Sequence, residues 1–344
     1  MKTLAAILVA QRAPLVVEEV EVPEPTFGQA LVRIERSGIC GSQLGEIDGV
    51  KGEDRYLPHL LGHEGVGTVE AVGPCVTTVK PGDRVVLHWR PGAGVESPTP
   101  HYLWGGRKVN AGRVTTFQGH AVVSENRLTR IPAEVDAASA VLYGCALLTA
   151  YGVLANDAGL KLGESVVVLG AGGVGQSLVL LAALAGAHPI VAVDLFPSKL
   201  ALARRLGATH VVCNKNSDPR REILEAVGPA GADVVVENTG VLAVMTLACD
   251  VTSPRGRTIL VGVPRHDVRL PIDTMPLHFG KVLTGSHGGD ASPAIDIPRL
   301  ARLQQVGRFD PRPLLTHEVD LPRINEGVAL VRSGEAARVT VRTT

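Results

Sequence analysis

Residues 165–175 read Ser-Val-Val-Val-Leu-Gly-Ala-Gly-Gly-Val-Gly, and this stretch decides the fold. Its apolar first half is rich in β-branched residues, which predicts a buried parallel strand. The glycines that follow match the pattern G-x-G-x-x-G: Gly170 permits a tight turn, Gly172 lets backbone approach a pyrophosphate, and Gly175 lets a helix pack on the strand. A helix that begins near Val174 points its N–H groups at the phosphates. The stretch therefore predicts a dinucleotide-binding domain.

The acid expected at the ribose follows at the right distance. A second apolar strand, Ile190–Val193, ends at Asp194, 19 residues after Gly175 (194 − 175). An acid about 20 residues beyond the turn binds the ribose 2′-OH of such cofactors. A carboxylate repels a 2′-phosphate, and no Arg follows Asp194 directly. The pattern therefore favours NAD over NADP.

The rest of the middle segment alternates strands with helices, which is typical of a doubly wound parallel sheet. The predicted helices are Pro197–Leu206, Arg220–Val227 and Val241–Asp250, and the further strands are His210–Cys213, Asp233–Val236, Thr258–Val263 and Val282–Gly285. Ligands bind at the carboxyl ends of such strands. We therefore expect Thr239, Val261 and Val263 at the cofactor.

The flanking segments carry a different pattern. Short strands such as Leu31–Ile34 and Gly67–Val69 are punctuated by Gly and Pro, as in an all-β domain, and a final strand is predicted at Arg338–Val341. We predict an inserted nucleotide domain with the active site in the cleft. The predicted domains are residues 1–150 (mainly β catalytic domain, first part), 151–284 (α/β nucleotide domain) and 285–344 (return to the catalytic domain).

Composition and charge exclude several classes of protein. With 34 basic and 34 acidic residues the net charge is 0, so no general attraction to nucleic acid is implied. No apolar run approaches the ~18 residues of a membrane helix. The start, Met1–Ala10, mimics a signal peptide, but Gln11 and Arg12 follow without a cleavage pattern, and the segment serves equally well as a first strand. We expect a cytoplasmic protein.

Three of the polar residues suit a metal. Catalytic zinc takes three protein ligands and leaves one position open, and Cys₂His is one such set. Cys40, His63 and Cys145 supply these donors, although a single Cys is more often a small buried apolar residue. Cys75 and Cys249 are expected to be ordinary core or surface thiols. Five cysteines in 344 residues do not form a disulfide framework.

Taken together, the motifs resemble those of the zinc-dependent alcohol dehydrogenases of the medium-chain dehydrogenase/reductase family, over nearly the whole chain. They are Gly38-Ile39-Cys40-Gly41, Gly62-His63-Glu64-Gly65-Val66-Gly67, Val79–Val85, Cys145 before Thr149-Ala150-Tyr151-Gly152, the glycine turn, Asp194 and Lys199. The resemblance implies a GroES-like catalytic domain and a Rossmann domain. It also implies one catalytic zinc held by Cys40, His63 and Cys145.

The same resemblance implies roles for further residues. Ser42 is expected to accept the proton of the alcohol, and Glu64 is expected beside the metal as an acid that exchanges with its water. Arg338 is expected near Glu64 and the cofactor phosphates. The implied cofactor-binding set is Gly170, Gly172, Gly173, Val174, Gly175, Asp194, Lys199, Thr239, Val261, Val263 and Arg338.

Three departures from the family pattern stand out. Residues 86–144 contain no Cys, so the second, structural zinc of many members is not expected. Gln43 stands where many members carry an Asp that helps to orient the metal site. Gly45 stands where many carry a His that ends the proton relay, so the relay beyond Ser42 must use the cofactor ribose, water or another side chain.

The sequence thus predicts a zinc-dependent enzyme that moves hydride between NAD and an alcohol or its carbonyl, and the resemblance implies a homodimer or homotetramer. The alternatives are a zinc-free quinone or enoyl reductase of the same fold and a non-catalytic NAD-binding structural protein. A local excess of basic residues suggests a polar or anionic substrate, although the segment also suits a solvated loop or a subunit contact. These residues are His88, Arg90, His101, Arg107, Lys108, Arg113 and His120, interleaved with Trp89, Tyr102 and Trp104.

Overall fold

The computed structural model describes residues 1–50, 52–215 and 217–344. The chain forms two compact units: unit 1 comprises Met1–Leu148 and Ser292–Thr344, and unit 2 comprises Thr149–Ala291. The second break falls after Ala291 rather than after residue 284. The reason is local, because the side-chain amide of Asn156 donates to the carbonyl of Gly289 at 2.9 Å and keeps that turn within unit 2.

Unit 1 is mainly β. Five strands close a barrel, in the order Lys2–Leu8, Val16–Glu21, His101–Trp104, Arg107–Asn110 and His59–Leu60. A seven-stranded sheet runs in the order Leu128–Arg130, Arg84–His88, Glu64–Val72, Gln29–Ile39, Val339–Arg342 and His317–Asp320, with His120–Ser124 also paired to Gln29–Ile39. The last strand of the chain thus completes the sheet that the first part builds.

Unit 1 also contains helices, of which the first and the last pack on one core of this sheet. The helices are Gly41–Ile47, Ala137–Ala140, the start of Ala146–Gly152, Pro293–Gln305 and Ile324–Ser333, with 3₁₀ turns at Glu125–Arg127, Val141–Gly144, Arg312–Leu314 and Leu321–Arg323. Ile39, Ile47, Leu61, Phe117 and Val339 are buried together in that core. Burying these side chains fixes the ends of the elements that carry the site.

Unit 2 is a six-stranded parallel sheet. Its strand order is His210–Cys213, Ile190–Asp194, Val166–Leu169, Ala232–Glu237, Thr252–Leu260 and Val282–Gly285. In chain order this is 3-2-1-4-5-6, the order of a dinucleotide-binding sheet. All four residues of Val166–Leu169 are fully buried, as a strand covered on both faces must be. The predicted combination of a Rossmann domain with a mainly β GroES-like domain is confirmed.

Helices alternate with these strands. They are Gly173–Leu184, Pro197–Arg205, Pro219–Val227 and Leu242–Val251, with a π-helical segment Val153–Asp157 and 3₁₀ turns at Met275–Phe279 and Gly288–Asp290. The strand predicted at Thr258–Val263 ends earlier, at Leu260. It ends there because the N–H groups of Val261 and Gly262 both donate to the carbonyl of Glu237, which turns the chain out of the sheet.

Among the described residues, no single helix is long and apolar enough to cross a membrane. One bent pair, Ala137–Gly144 with Ala146–Asp157, reaches that length and composition only when its two halves are taken together. Much of this pair is core, since Val141, Leu142 and Leu147 are fully buried.

Candidate active site

Three elements of unit 1 bring the predicted metal ligands together. Cys40 follows the strand Gln29–Ile39, His63 precedes the strand that begins at Glu64, and Cys145 lies between the 3₁₀ turn Val141–Gly144 and the next helix. Their candidate ligand atoms all lie within 4.8 Å of one another. Two sulfurs and an imidazole nitrogen are donors that zinc prefers. The donor set therefore fits a single zinc ion, whose binding stays a prediction.

Cys40 and Cys145 shift each other's pKa in opposite directions. The hydrogen bond from Cys145 holds the pKa of Cys40 well below its usual range, against the opposing effect of burial. The same hydrogen bond, together with burial, raises the pKa of Cys145 well above its usual range. Both thiols must lose their protons to bind a metal, because a metal ligand must be deprotonated.

The imidazole of His63 has one occupied and one unoccupied nitrogen. Nδ1 contacts the side-chain amide of Gln43, and the hydroxyl of Ser42 lies 3.5 Å from the same atom. Nε2 is buried and has no hydrogen-bond partner among the residues that the structure describes. Burial opposes a positive charge on the ring, but the adjacent Cys40 outweighs it and raises the pKa of His63. An orphaned buried nitrogen beside two sulfurs is what a metal ligand leaves when the ion is taken away.

Glu64 and Arg338 form a buried ion pair beside this cluster. The guanidinium donates to Oε1 of Glu64, and the two side chains are 4% and 0% exposed. Burial raises the pKa of Glu64, and the charge of Arg338 opposes that rise. The carboxylate is caged by glycines, since a Cβ on Gly38 would lie 2.5 Å from Oε1 and a Cβ on Gly144 would lie 2.8 Å from the Cβ of Glu64. The predicted contact of Arg338 with Glu64 is present, whereas its contact with cofactor phosphates stays a prediction.

The glycine turn of unit 2 has the geometry that its pattern predicts. Gly170 has φ +92°, a conformation that favours glycine. A Cβ on Gly175 would lie 1.9 Å from the carbonyl of Gly170, so only glycine lets the helix sit this close. A Cβ on Gly172 would meet nothing within 4 Å, and this residue caps the helix Gly173–Leu184. The open space at a helix N-terminus is where a pyrophosphate can approach the backbone.

The side chain of Asp194 forms hydrogen bonds with this turn. Its Oδ2 accepts from the N–H of Ala171 at 2.7 Å and its Oδ1 from the N–H of Phe196 at 3.0 Å. The ammonium of Lys199 lies 4.9 Å from the centre of the Phe196 ring. Asp194 and Lys199 therefore both contact Phe196, and their binding of a ribose stays a prediction.

A second predicted group of cofactor residues lies at the end of the strand Ala232–Glu237. The backbone N–H of Thr239 donates to the buried carboxylate of Glu237 at 2.6 Å, and the N–H of Gly240 does so at 3.0 Å. A Cβ on Gly240 would lie 2.5 Å from the carbonyl of Val263, and one on Gly170 would lie 2.7 Å from the Thr239 side chain. Thr239 thus lies against the glycine turn and Val263 lies against Gly240, while the N–H of Val261 donates to the carbonyl of Glu237.

Comparison with known proteins agrees with the residues identified in each unit. The family model described as an alcohol dehydrogenase GroES-like domain matches residues 26–133, and the one described as a zinc-binding dehydrogenase matches residues 173–304. The chain is 30% identical to an alcohol dehydrogenase zinc-binding domain protein from Burkholderia ambifaria, covering 100% of this chain and 99% of that one with a TM-score of 0.91. The chain belongs to the zinc-dependent alcohol dehydrogenases of the medium-chain dehydrogenase/reductase family.

As a member of this alcohol dehydrogenase family, the chain is an oxidoreductase. It is also similar to a benzyl alcohol dehydrogenase from Acinetobacter calcoaceticus, at 28% identity over 100% of both chains with a TM-score of 0.90. A 2R,3R-butanediol dehydrogenase from Bacillus subtilis is 27% identical over 99% of this chain and 100% of that one, with a TM-score of 0.81. The substrates in those two names differ widely in polarity, so the dehydrogenase fold alone does not select a substrate.

A cavity of about 560 Å³ in unit 1 is bounded on one side by His63 and Gln43. Its wall combines apolar residues such as Leu60 and Val114 with polar side chains, which are Asp54, His59, Thr99, His101, Asn110 and Arg113. Asp54 and His59 are paired to each other at 2.8 Å. The cavity is the space in unit 1 that a substrate bound beside His63 would enter.

Only part of the basic segment surrounds that cavity. His101 and Arg113 line it, and Arg113 is paired with Glu96. His88 instead is fully buried, within hydrogen-bond distance of the Arg90 carbonyl and of the Thr129 hydroxyl, and burial lowers its pKa to about 4. The aromatic residues have structural roles as well: the Tyr102 hydroxyl accepts from the N–H of Val122, and the Trp104 indole donates to Glu18. His101 and Arg113 are therefore the residues of this segment that remain candidates for binding the substrate.

Sequence reasoning missed two features of this dehydrogenase. Glu237, whose carboxylate holds the Thr239 loop, lay just beyond the predicted strand Asp233–Val236 and was given no role, although an acid directly before Asn-Thr-Gly was a visible signal. The cavity beside His63 gave no signal, because its wall comes from segments about 60 residues apart, such as Asp54 and Arg113.

Proposed function

We propose that this chain oxidises an alcohol, or reduces the corresponding carbonyl, with one zinc ion and NAD as cofactors. The observation that carries the proposal is the convergence of Cys40, His63 and Cys145, whose ligand atoms lie within 4.8 Å in a member of this family. A zinc-free reductase has no need for two sulfurs and an orphaned imidazole nitrogen at one point.

Cys40, His63 and Cys145 would hold the zinc, with a fourth position left for the reacting oxygen. When bound there, zinc supplies Lewis acidity towards an alcohol or carbonyl oxygen. Two thiolates neutralise the charge of the ion, and the buried pair of Glu64 with Arg338 adds no net charge. The ligand set therefore presents a neutral, partly buried site, in which the protein's own dipoles act without competition from bulk water.

Ser42 is the residue placed to take the proton of the alcohol. Its side chain is exposed, and its hydroxyl lies 3.5 Å from Nδ1 of His63. A serine hydroxyl donates and accepts at once, so it can receive this proton while it releases its own to solvent. Gly45 offers no side chain to continue the path, which makes water or the cofactor ribose the next acceptor.

Unit 2 would hold NAD through the glycine turn and Asp194. The N–H groups at the start of the helix Gly173–Leu184 suit a pyrophosphate, and the nicotinamide, when bound, supplies the hydride acceptor. Each carboxylate oxygen of Asp194 accepts one backbone N–H, and each can still accept a ribose hydroxyl. A 2′-phosphate at that place would face the same carboxylate, which supports NAD over NADP.

The substrate proposed for this site is polar or anionic. Polar side chains that can form hydrogen bonds line part of the cavity beside His63. Of the basic segment, His101 and Arg113 line it. Arginine binds carboxylates and phosphates with two parallel hydrogen bonds. To bind the substrate in this way, Arg113 would have to give up its ion pair with Glu96.

A two-fold assembly is also proposed. Val282–Gly285 is the edge strand of the parallel sheet, and apolar side chains near it are exposed, with Phe279 at 72% and Val263 at 69%. An open apolar edge is a template for pairing with a second copy. Light scattering at micromolar concentration should give a homodimer or homotetramer, and a monomer there would remove this proposal.

The cytoplasm is the proposed compartment. All five cysteines are free thiols, and two of them are the proposed ligands, a chemistry that a reducing compartment preserves. Fractionation of cells that express the full chain, followed with an antibody, tests this. Recovery of the protein in a secreted or membrane fraction would contradict it.

A turnover screen tests the proposed activity. Zinc-loaded protein is supplied with NAD and a set of aliphatic, aromatic, polyhydroxylated and anionic alcohols, and NADH formation is followed by absorbance. Zinc-stripped protein is the matched control and should be inactive until zinc is restored. Turnover of quinones or enoyl compounds by the zinc-free protein would instead support the zinc-free reductase.

A further inference from the structure

Gln43 occupies a place where its amide faces two different kinds of hydrogen-bonding partner. It is 1% exposed, in the first turn of the helix Gly41–Ile47. Its Oε1 accepts from the backbone N–H of Cys40 at 2.9 Å, and its Nε2 contacts Nδ1 of His63. One side chain therefore links two of the three proposed metal ligands.

The chemistry of the amide decides which nitrogen of His63 carries the proton. A backbone N–H is only a donor, so the Gln43 atom that faces Cys40 must be the carbonyl oxygen. The NH₂ group then faces Nδ1, and because NH₂ only donates, Nδ1 must present a lone pair. In the neutral ring the single proton is consequently on Nε2.

That tautomer is the wrong one for metal binding. Nε2 is the buried nitrogen of His63 that has no partner within the described part of the chain, and it is the free donor atom of the ring. A metal ligand needs its lone pair there, with the proton on Nδ1 and an acceptor for that proton. We propose that Gln43 is a positioning residue that holds metal-free His63 as the Nε2–H tautomer, so that zinc binding requires the Gln43 amide to reverse.

Reversal has a cost that the structure identifies. With Oε1 turned towards Nδ1–H, the NH₂ group faces the N–H of Cys40, and two donors oppose each other in a buried position. A buried donor left without an acceptor is destabilising. The hydroxyl of Ser42, at 3.5 Å from Nδ1, is at the limit of hydrogen-bond distance and replaces the amide only poorly. Gln43 is not itself a ligand, but it lowers the affinity of this chain for zinc because its amide must reverse before zinc binds.

The substitution Gln43→Glu tests this inference, which rests on the proposed zinc site. A carboxylate of the same length accepts from the Cys40 N–H and from Nδ1–H together, so nothing opposes the metal-binding tautomer. The variant should bind zinc about 10- to 100-fold more tightly, the usual effect of such outer partners. The measurement is competition for zinc against a chromophoric chelator, and the matched control is Gln305→Glu, an exposed position of the same unit with the same change in charge.

A second measurement needs no variant of Gln43. In the zinc-free protein with ¹⁵N-labelled histidine, at a pH above the ordinary imidazole range, NMR should show the His63 proton on Nε2, and on Nδ1 after zinc is added. His63→Asn assigns the signal. If the zinc-free ring already carries its proton on Nδ1, or if folded Gln43→Glu binds zinc no more tightly than the unaltered chain, the inference is wrong. If the unaltered chain binds no zinc, it is the proposed function that fails.

Discussion

Replacing Arg338 with Met should destabilise unit 1 strongly. The Arg338 guanidinium and the Glu64 carboxylate form an ion pair whose side chains are 4% and 0% exposed. Met keeps most of the volume of the chain but removes the charge, and Glu64 is left buried without its counter-ion. Removing one partner of a buried pair costs roughly 3–5 kcal/mol. The double variant Glu64→Gln/Arg338→Met should lose less than the two single variants combined, since no uncompensated charge remains.

The loss should also depend on pH. Burial raises the pKa of Glu64 even with Arg338 present, and without that charge the pKa rises further. A carboxyl group whose pKa is higher in the folded than in the unfolded state stabilises the fold at low pH, and this stability is lost as pH rises through the folded pKa. The free energy of unfolding that Arg338→Met loses relative to the unaltered chain should therefore be larger at pH 8 than at pH 5.

Urea unfolding followed by tryptophan fluorescence measures this effect in the right place. The chain has two Trp residues, Trp89 and Trp104, and both lie in unit 1. Arg312→Met is the matched control, because Arg312 pairs with Asp310 at the surface and its loss should leave the midpoint unchanged. One contradicting result is that Arg338→Met unfolds at the same urea concentration as the unaltered chain. Another is that the losses in free energy of unfolding of the two single variants simply add in the double variant. Either result would show that Glu64 and Arg338 are not a buried, coupled pair.

The remaining predictions concern the cofactor, a buried histidine and the substrate. The unaltered chain should have a higher kcat/KM for NAD than for NADP, and Asp194→Gly should narrow the gap; a preference for NADP at the outset would refute the role of Asp194. Burial lowers the pKa of His88 to about 4, from an ordinary value of about 6.5. The free energy of unfolding should therefore fall by about 3 kcal/mol as the pH decreases from the higher to the lower of these values. His88→Gln should remove that part of the pH dependence. Parallel stability curves for the two proteins would show that His88 takes up its proton in the folded state. Arg113→Ala should raise KM for anionic alcohols with little change for benzyl alcohol, and equal changes for both would exclude Arg113 from substrate selection.

Much of unit 2 was predictable because its signals are local. The first four residues of the strand Ile190–Asp194 are buried and therefore apolar, and the glycine turn needs its glycines for steric reasons that neighbours in the sequence reveal. The end of the strand at Leu260 was not predictable, since it depends on a carbonyl of Glu237, which belongs to the neighbouring strand.

The site in unit 1 shows the same division. Cys40, His63 and Cys145 were identified by their motifs, but their mutual distances depend on three separate elements of the sheet and its covering helices. The sequence showed the basic segment but not which of its residues face a cavity, because a sequence shows charge without direction. In the structure His88 points into a buried network, while Arg113 reaches a cavity wall.

Zinc stoichiometry tests the central claim most directly. Elemental analysis of the purified, zinc-loaded chain should give one zinc per chain, and Cys145→Ala should lose that zinc and all turnover while its affinity for NAD is retained, because Cys145 contributes a ligand only in unit 1. Two zinc ions per chain, or an unchanged zinc content in Cys145→Ala, would contradict a single catalytic ion held by Cys40, His63 and Cys145.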